Sequence, residues 1–389
     1  VMSKKVLIMS ASTGGGHNRA AKAMKEEIEK RCINGEYITC EIVDSLKLIN
    51  TTMDKIISSG YEKSAKYTPK AWGGVYKISD ANIMSKHEFK GNLFNSLLSS
   101  RLKKLLKESK PDLIIGTHPF PMIALSTLKK KYPYRNAFNS FFVPPLISVL
   151  TDYTAHSAYI QDEIDYYIAG DEYVREVLIS EGIEDDKIKP YGIPVEKSFL
   201  EHRDKNVVLE ELGLDPNKFT VLLMGGSFGA GNIKDTLKEL LLIDRDFQIL
   251  VITGRNESLK ERLEKSLEKS SFDKNISVLG FTKDMNDILS AVDIIVSKPG
   301  GLTTTECLLK ELPMIIPYYI PGQEKENLDF LSNCGAALRT SSKFTLTVLL
   351  KVLIDNPERV ELLKNNIRAI KKQNTSEDIA DLVCEIIGQ

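Results

Sequence analysis

Cysteine is scarce in this chain, and it is not arranged for cross-linking or for metal binding. The five cysteines are odd in number, scattered along the sequence and form no CxxC pair. Zinc sites and disulfide frameworks need paired cysteines at characteristic spacings. The sequence therefore argues against both and favours a cytosolic protein with reduced thiols.

Long apolar runs are also lacking. No stretch approaches the roughly 18 consecutive apolar residues that indicate a membrane-spanning helix. The first apolar run covers only Val6 to Met9, which is too short for the core of a secretory signal peptide. The longest candidate, residues 141–150, is interrupted by Pro144 and Pro145 and favours a buried strand.

The chain has no large net charge of either sign. Its formal net charge is -1, which does not indicate a nucleic-acid partner. The charge is nevertheless uneven, because residues 47–135 contain 17 Lys and Arg against 6 Asp and Glu. Aromatic residues, among them Trp72 and Tyr76, are interleaved with these lysines. This segment predicts a face that meets an anionic surface.

What the sequence does contain is a regular alternation of short apolar strands and amphipathic helices. It runs through both halves of the 389 residues, with a charged, less periodic stretch near residues 196–205 between them. The alternation predicts an α/β protein with two doubly wound parallel sheets, each a Rossmann-like domain. The expected domains are residues 1–200 and 201–370. A C-terminal helix is expected in 371–389, with packing on the N-terminal domain as one option.

Glycine-rich loops follow several predicted strands in the second half. One is Gly225-Gly-Ser-Phe-Gly229, and another is Ser297–Glu306, in which Gly300 and Gly301 precede a helix. Ligands of parallel sheets bind outside the carboxyl ends of the strands. Glycines at a helix N-terminus suit a phosphate group there. An ordinary turn with a helix cap is the alternative interpretation of each loop.

Other nucleotide and metal sites find less support. No GxxxxGK[ST] sequence is present, which argues against a P-loop NTPase. The loop at Gly225 loosely matches a dinucleotide fingerprint, but it lies mid-chain rather than in the first strand–helix unit. Asp244-Arg-Asp246 has the DxD spelling of metal-dependent sugar transferases, yet its short connection favours a solvated turn. No obligatory metal is expected.

Further polar and aromatic residues stand at the same strand ends. Arg255 could pair with a phosphate or stack on a base, and Phe281, followed by Thr282, could form the wall of a base pocket. A surface arginine and a core phenylalanine are the alternatives. The helix after the last strand carries amides and a carboxylate on one face, suited to sugar hydroxyls or to helix capping: Gln323, Glu324 and Asn327.

Histidine is rare, and its placement is informative. Three of the five histidines, His17, His118 and His156, follow predicted strands of the first half. Together with Asp152 they predict a site at one edge of that sheet. A histidine poised near neutral pH suits a general base. A structural role is the alternative for any one of them.

Four stretches carry a resemblance to a known family: Gly-Gly-Gly-His-Asn-Arg-Ala-Ala at 14–21, Thr-Asp-Tyr-Thr-Ala-His at 151–156, Lys-Pro-Gly-Gly-Leu-Thr-Thr-Thr-Glu at 298–306 and Pro-Gly-Gln-Glu-Lys-Glu-Asn at 321–327. In this order they resemble the processive diacylglycerol glucosyltransferases of Gram-positive bacteria and the plant monogalactosyldiacylglycerol synthases. The resemblance implies a GT-B fold with its two domains facing across a cleft, a UDP-sugar donor, no metal, and inversion at the anomeric carbon. Plant members have Lys-Ala-Gly-Pro where this chain has Lys298-Pro-Gly-Gly301, so the donor hexose stays open.

The resemblance also implies roles for individual residues. It assigns the pyrophosphate to the two glycine loops, the uracil to Phe281, the ribose to Glu306, and the base or an acceptor-side contact to His17. The expected donor-binding residues are Gly16, Gly225, Gly226, Ser227, Phe228, Gly229, Arg255, Phe281, Thr282, Pro299, Gly300, Gly301, Thr303, Glu306, Gln323, Glu324 and Asn327. The expected catalytic residues are His17, Asp152 and His156, and the expected acceptor or membrane contacts are Trp72, Tyr76 and His118.

The sequence thus predicts a membrane-associated, inverting glycosyltransferase that moves glucose from UDP-glucose to diacylglycerol, with a second glucose implied by the family name. We expect it at the cytoplasmic face of the membrane, with the basic aromatic segment on anionic lipid. Transfer of GlcNAc or galactose, and transfer to a polyprenol-linked acceptor, stay open. A UDP-sugar epimerase and a non-catalytic UDP-sugar sensor are the alternatives from other classes.

Overall fold

The structure contains two β-sheets, one in each half of the chain. It is a computed structural model, and it describes residues 3–12, 15–49, 93–134, 141–225, 232–269 and 273–388. The chain divides into two units. Unit 1 comprises Val1–Glu196, Pro321–Gln323 and Asn374–Gln389, and unit 2 comprises Lys197–Ile320 and Glu324–Gln373. Six of the residues predicted for the site or the membrane face lie outside the described ranges: Trp72, Tyr76, Gly226, Ser227, Phe228 and Gly229.

The described strands of unit 1 are β1 (Lys4–Ser10), β2 (Cys32–Ile33), β3 (Glu36–Asp44), β4 (Leu113–Gly116), β5 (Leu146–Val149), β6 (Tyr166–Ile168) and β7 (Ile188–Lys189). They form one sheet in the order β2-β3-β1-β4-β5-β6-β7, in which only the short β2 runs antiparallel to its neighbour. The central strands are buried on both faces, as β1 is from Val6 to Ser10. Such strands appear in a sequence as continuous apolar runs.

The helices of unit 1 that lie before its last strand are α1 (Gly16–Ile28), α2 (Ser45–Ile49), α3 (Leu93–Ser109), α4 (Pro119–Lys131) and α5 (Glu172–Ser180). Helix α3 illustrates why they form. Leu98, Leu102 and Leu106 recur every four residues and are fully or almost fully buried. This spacing places them on one helical stripe, and α3 packs against α2 and α4.

The described strands of unit 2 are β8 (Thr220–Met224), β9 (Gln248–Ile252), β10 (Ile276–Leu279), β11 (Ile294–Val296), β12 (Met314–Ile316) and β13 (Ala337–Arg339). They lie in the order β10-β9-β8-β11-β12-β13 and are parallel throughout. The helices of this unit are α6 (Lys205–Glu211), α7 (Ile233–Leu241), α8 (Glu257–Glu268), α9 (Met285–Ala291), α10 (Gly301–Leu309), α11 (Gln323–Asn333, whose first residue belongs to unit 1), α12 (Leu346–Asp355) and α13 (Pro357–Ile370).

The last helix, α14 (Thr375–Gly388), belongs to unit 1. Its apolar residues, among them Ile379 and Val383, share a core with Met24 of α1 and with the sheet. The Thr375 hydroxyl donates to the carbonyl of Tyr191 at 2.7 Å. The chain thus returns to unit 1 after completing unit 2. Within the described ranges, every helix falls short of the length and apolar content that crossing a membrane requires.

Each sheet has one topological switch point, where the order in which successive strands are added reverses direction. In unit 1 this switch lies between β1 and β4, and in unit 2 it lies between β8 and β11. Loops that leave the carboxyl ends of such neighbouring strands diverge and open a crevice, where ligands of open α/β sheets bind. The residues after β1, β4 and β5, and those after β8 and β11, are therefore expected to line the crevice of their own sheet.

Candidate functional site

His17 lies at the switch point of unit 1, in the first turn of α1. Its Nδ1 atom is 2.6 Å from the carbonyl oxygen of Thr117, which follows β4. The same Nδ1 atom is 3.1 Å from the hydroxyl of Thr151, which follows β5. Because β1, β4 and β5 are neighbours in the sheet, their carboxyl ends bring these three residues together. The predicted cluster at this sheet edge therefore contains His17 together with two threonines.

The Thr117 carbonyl fixes the tautomer of His17. A carbonyl oxygen can only accept, so Nδ1 must carry the proton, and the lone pair of the neutral ring lies on Nε2. Burial lowers the pKa of His17 from 6.5 to about 4, although the bond to Thr117 acts in the opposite direction. The ring is therefore neutral near pH 7 and offers Nε2 as a proton acceptor.

His118 and His156 have the opposite tautomer. His118 caps α4, and its Nδ1 accepts from the Phe120 amide at 3.2 Å. His156 caps the 3-10 turn of residues 157–159, and its Nδ1 accepts from the Ala158 amide at 3.0 Å. Since Nδ1 accepts in both rings, each neutral ring carries its proton on Nε2. Of the three predicted histidines, His17 alone presents an unprotonated Nε2.

His118 also contacts His17 directly. The two ring centroids are 4.7 Å apart, in an edge-to-face arrangement. Burial and the neighbouring His17 ring lower the pKa of His118 well below its ordinary value. His118 is thus a buried neutral ring next to the candidate base, and its Nε2–H can only donate.

Asp152 enters this cluster through Tyr159. Burial, and then the negative charge of Asp152, raise the pKa of the Tyr159 hydroxyl. That hydroxyl is 3.4 Å from the Thr151 hydroxyl and 3.5 Å from the Thr117 carbonyl. Asp152 therefore acts on Tyr159, which is not among the predicted site residues.

The glycine loop of unit 2 ends at the N-terminus of α10. Gly300 precedes the helix with φ -67° and ψ 144°, a conformation open to any residue, and no side chain of the described residues caps the helix. The space where a Cβ of Gly300 would stand is open, apart from the Lys298 ammonium at 3.8 Å. Glycine at this position thus gives access to the helix N-terminus and is not required by the turn. Thr303 in the first turn is partly exposed, whereas Glu306 and Gly301 are buried.

Helix α11 supports the loop that precedes α10 through hydrogen bonds and an ion pair. The Asn327 amide donates to the Pro299 carbonyl at 2.9 Å. Glu324 forms an ion pair with Lys298 through one oxygen and accepts from the Ile320 amide at 2.8 Å through the other. Both Glu324 and Asn327 are buried, so these two predicted sugar contacts support the loop itself. Gln323, the first residue of α11, is partly exposed.

Arg255 and Phe281 come together at the ends of β9 and β10. The Arg255 guanidinium lies over the Phe281 ring, 5.4 Å from its centroid. Phe281 is exposed, which rules out the alternative of a core phenylalanine. The hydroxyl of Thr282, next to it, accepts from the Asp284 amide at 3.0 Å. An exposed ring stacked with a guanidinium is a platform on which a planar base can stack.

The DxD-like sequence does not lie among the glycine loops. Asp244-Arg-Asp246 precedes β9 and so lies at the amino end of the strand, opposite the glycine loops. Arg245 pairs with Asp355 at 2.7 Å, and Asp246 accepts from Lys218 at 2.9 Å. These are the contacts of a solvated turn. In the part of the chain that the structure describes, no group of three or more His, Cys, Asp or Glu side chains is placed to hold a metal.

Four contributors to these clusters were not selected from the sequence: Thr117, Thr151, Tyr159 and Lys298. A signal for three of them was present. Thr117 directly precedes His118, and Thr151 and Lys298 are the first residues of two motifs. Their contacts depend on neighbouring strands and helices, which no local pattern specifies.

Comparison with known proteins identifies the family. Residues 17–195 match the monogalactosyldiacylglycerol (MGDG) synthase family, and residues 220–383 match the glycosyltransferase family 28 C-terminal domain. The processive diacylglycerol beta-glucosyltransferase of Bacillus subtilis strain 168 is 30% identical, over 97% of this chain and 94% of its own length. The chain belongs to this family of glycosyltransferases. The Bacillus licheniformis relative of the same name is 29% identical over 98% of this chain and 95% of its own length.

Two solved structures show the fold. MurG of Acinetobacter baumannii superposes with a TM-score of 0.62 at 17% identity, covering 98% of this chain and 99% of its own. The UDP-GlcNAc 2-epimerase of Neisseria meningitidis gives 0.58 at 18% identity, with 98% and 100% covered. The predicted GT-B fold and the predicted class of enzyme, a hexosyltransferase, are confirmed. Because epimerases share this fold, the family match and not the architecture decides between the two classes.

Proposed function

We propose that this glycosyltransferase moves glucose from UDP-glucose to the free hydroxyl of diacylglycerol, with inversion at the anomeric carbon. The observation that carries the proposal is the similarity over nearly the full length to processive diacylglycerol beta-glucosyltransferases. The site supports it, because His17 presents an unprotonated Nε2. A hydroxyl acceptor needs such a group to take its proton as it attacks.

In the proposed reaction, Nε2 of His17 takes the proton of the acceptor hydroxyl, and the hydroxyl oxygen attacks the anomeric carbon from the side opposite the UDP. The bond between that carbon and the UDP oxygen breaks, and the UDP leaves with the electron pair. His118 and His156 are not suited to the base role, because in each ring the Nδ1 lone pair caps a backbone amide and Nε2 carries the proton. The tautomers therefore support His17 over the other two histidines as the base.

Unit 2 supplies the donor contacts in this proposal. Among the residues that the structure describes, no side chain caps the N-terminus of α10, so its amides and its dipole are available to a pyrophosphate. The stacked pair of Arg255 and Phe281 receives the uracil. Stabilisation of the departing UDP by fixed dipoles takes the place of a metal ion. Gly225, Thr303 and Glu306 keep the roles that the resemblance gives them, with the pyrophosphate and the ribose.

We further propose that unit 1 lies peripherally on the cytoplasmic face of an anionic membrane. A basic aromatic surface in this unit consists of Lys103, Lys107, Lys131 and Tyr132, which lie around the buried ring of Phe141. The Lys103 ammonium donates to the Tyr132 hydroxyl at 2.7 Å, and the ammonium groups lie 4.3 to 5.9 Å from the two ring centroids. Lysines near a membrane surface attract anionic headgroups, and tyrosine favours the interface.

The test offers the purified protein UDP-glucose, UDP-galactose and UDP-GlcNAc in turn, with vesicles of diacylglycerol in anionic lipid, and separates the lipid products by chromatography. Glucosyl-diacylglycerol from UDP-glucose, formed equally in EDTA, supports the proposal, and a diglucosyl product supports processive transfer. A product from UDP-galactose or UDP-GlcNAc alone would show the alternative transferases. Conversion of the UDP-sugar without lipid product would show an epimerase, and binding without turnover would show a sensor.

A further inference from the structure

The groups around His17 form a closed cycle of hydrogen-bonding contacts. Nδ1 of His17 is 2.6 Å from the Thr117 carbonyl and 3.1 Å from the Thr151 hydroxyl. The Thr151 hydroxyl is 3.4 Å from the Tyr159 hydroxyl, which in turn is 3.5 Å from the same Thr117 carbonyl. Thr117, Thr151 and Tyr159 are all buried, so the cycle is shielded from competing water.

Because the Thr117 carbonyl can only accept, it determines which group donates and which accepts in every hydrogen bond of this cycle. His17 Nδ1–H and Tyr159 O–H both donate to the Thr117 oxygen, which has two lone pairs. The Tyr159 oxygen is then free to accept from the Thr151 O–H. The Thr151 oxygen consequently turns a lone pair toward the Nδ1–H of His17. Each hydroxyl donates once and accepts once, and the arrangement is consistent only with the Nδ1–H tautomer of His17.

We propose that Thr151 and Tyr159 are positioning residues that hold His17 in the orientation of a general base, while the Thr117 carbonyl fixes its tautomer. The inference rests on the proposed function, in which His17 Nε2 takes the acceptor's proton. When that proton arrives, the positive charge of the ring spreads to Nδ1–H, where the Thr117 and Thr151 oxygens face it. Hydrogen bonds to a charged group are stronger than those to a neutral one. The two contacts therefore favour the transition state over the resting enzyme.

The other groups near this ring do not supply the same effect. His118 packs edge-on against His17 as a neutral ring. Asp152 acts on the cycle through Tyr159, whose pKa it raises. The support of His17 in this cycle is thus made of neutral dipoles, and the Thr151 hydroxyl is the one side-chain group in it that touches the ring.

Thr151→Val tests the proposal, because valine keeps the shape and removes the hydroxyl. We expect kcat to fall roughly ten- to hundredfold, the effect of one hydrogen bond to a charged group. KM for UDP-glucose should stay unchanged, since the contact strengthens only in the transition state. Thr151→Ser should restore most of the rate. Ser148→Ala is the matched control, because this buried hydroxyl of β5 has no hydrogen-bond partner among the described residues, and it should leave kcat unchanged.

Tyr159→Phe tests the rest of the cycle. It should lower kcat less than Thr151→Val, and the double variant should lose less than the product of the two single losses, because both act on one group. A purely structural role would instead lower thermal stability and give independent effects. Unchanged kcat in Thr151→Val, or an equal loss in Ser148→Ala, would overturn the proposal.

Nitrogen-15 NMR of His17 gives a reading that needs no substrate. The wild-type protein should show the Nδ1–H tautomer, and Thr151→Val with Tyr159→Phe should keep it, because the Thr117 carbonyl still faces Nδ1, while kcat falls. A wild-type Nε2–H tautomer would refute the inference even in an active enzyme. The Nδ1–H form in a protein that fails to transfer glucose would leave the cycle in place and refute the proposed function.

Discussion

His17 is the residue on which the proposed chemistry depends, and its pH dependence is unusual for a histidine. A base works only when it is unprotonated, so activity is present above its pKa and is lost as the pH falls through it. Burial lowers the pKa of His17 to about 4. The acid limb of kcat/KM should therefore lie near pH 4, and the rate should change little as the pH falls through 6.5, the ordinary histidine value. A limb near the ordinary value would contradict the buried, neutral ring.

Two histidine variants complete this prediction. His17→Gln should lower kcat by about 10²- to 10⁴-fold with little change in KM for UDP-glucose. The reason is that a general base takes up the proton in the transition state and does not bind the donor in the ground state. His156→Asn keeps an oxygen that can accept from the Ala158 amide, so the turn survives and most of the activity should remain. Equal losses in the two variants, with both proteins folded, would remove the basis for choosing His17.

The choice among the histidines shows what a sequence can and cannot specify at this scale. His17, His118 and His156 were found because each follows a strand, and the carboxyl ends of parallel strands meet at one edge. Their tautomers depend on which backbone group faces Nδ1, a carbonyl for His17 and amides for the other two. Glu324 is a second example. Its position on one face of a helix was predicted, but its partners, Lys298 and the Ile320 amide, lie outside that helix and could not be predicted from the local pattern.

At the scale of helices and strands, buried apolar runs predict the sheets well. Strand β8 (Thr220–Met224) is such a run, and every residue in it is buried. The hairpin of β2 and β3 was missed although its signal is present. Asn34 and Gly35 have φ values of 50° and 83°, the two positive values of a type I′ turn, for which Asn-Gly is the preferred pair. Strand β13 was missed because three residues are too few to show a period.

Gly300→Ser tests the role of the α10 N-terminus. The backbone of Gly300 already suits serine, and a serine at this position can cap the first-turn amides, so stability should be kept or rise by a few tenths of a kcal/mol. The same hydroxyl occupies the donors that a phosphate needs. KM for UDP-glucose should therefore rise about tenfold or more, the cost of one charge-assisted contact, while the melting temperature does not fall.

Gly35→Ala is the opposite case and serves as its control. A Cβ there would meet nothing within 4 Å, but the positive φ disfavours alanine. The substitution should lower the free energy of unfolding by about 1 kcal/mol and leave the kinetics unchanged. If Gly300→Ser lost stability in the same way and kept its KM, the glycine would serve the fold, and the phosphate site at α10 would be wrong.

At the scale of the whole molecule, the near-zero net charge conceals a basic region in unit 1. The hydrogen bond from Lys103 to Tyr132, with the nearby charges of Lys103 and Lys131, lowers the pKa of that tyrosine. These lysines and rings come from α3, from the end of α4 and from the segment after it. The charge excess of residues 47–135 is visible in the sequence. The contacts of Lys103, Lys107 and Lys131 with the rings of Tyr132 and Phe141 could not be predicted from it, because they depend on the packing of α3 on α4.

Membrane binding should follow this local charge and not the net charge. Lys107→Glu with Lys131→Glu reverses two exposed charges of the basic aromatic surface, and Lys265→Glu with Lys269→Glu makes the same change in net charge on and just after α8 of unit 2. Each lysine near an anionic surface contributes about 1 kcal/mol, so the first pair should weaken sedimentation with anionic vesicles more than tenfold. The second pair should bind like the wild type, and neutral vesicles or high salt should remove the difference. Equal losses in both pairs would show that net charge alone governs binding and would refute a membrane face at this surface.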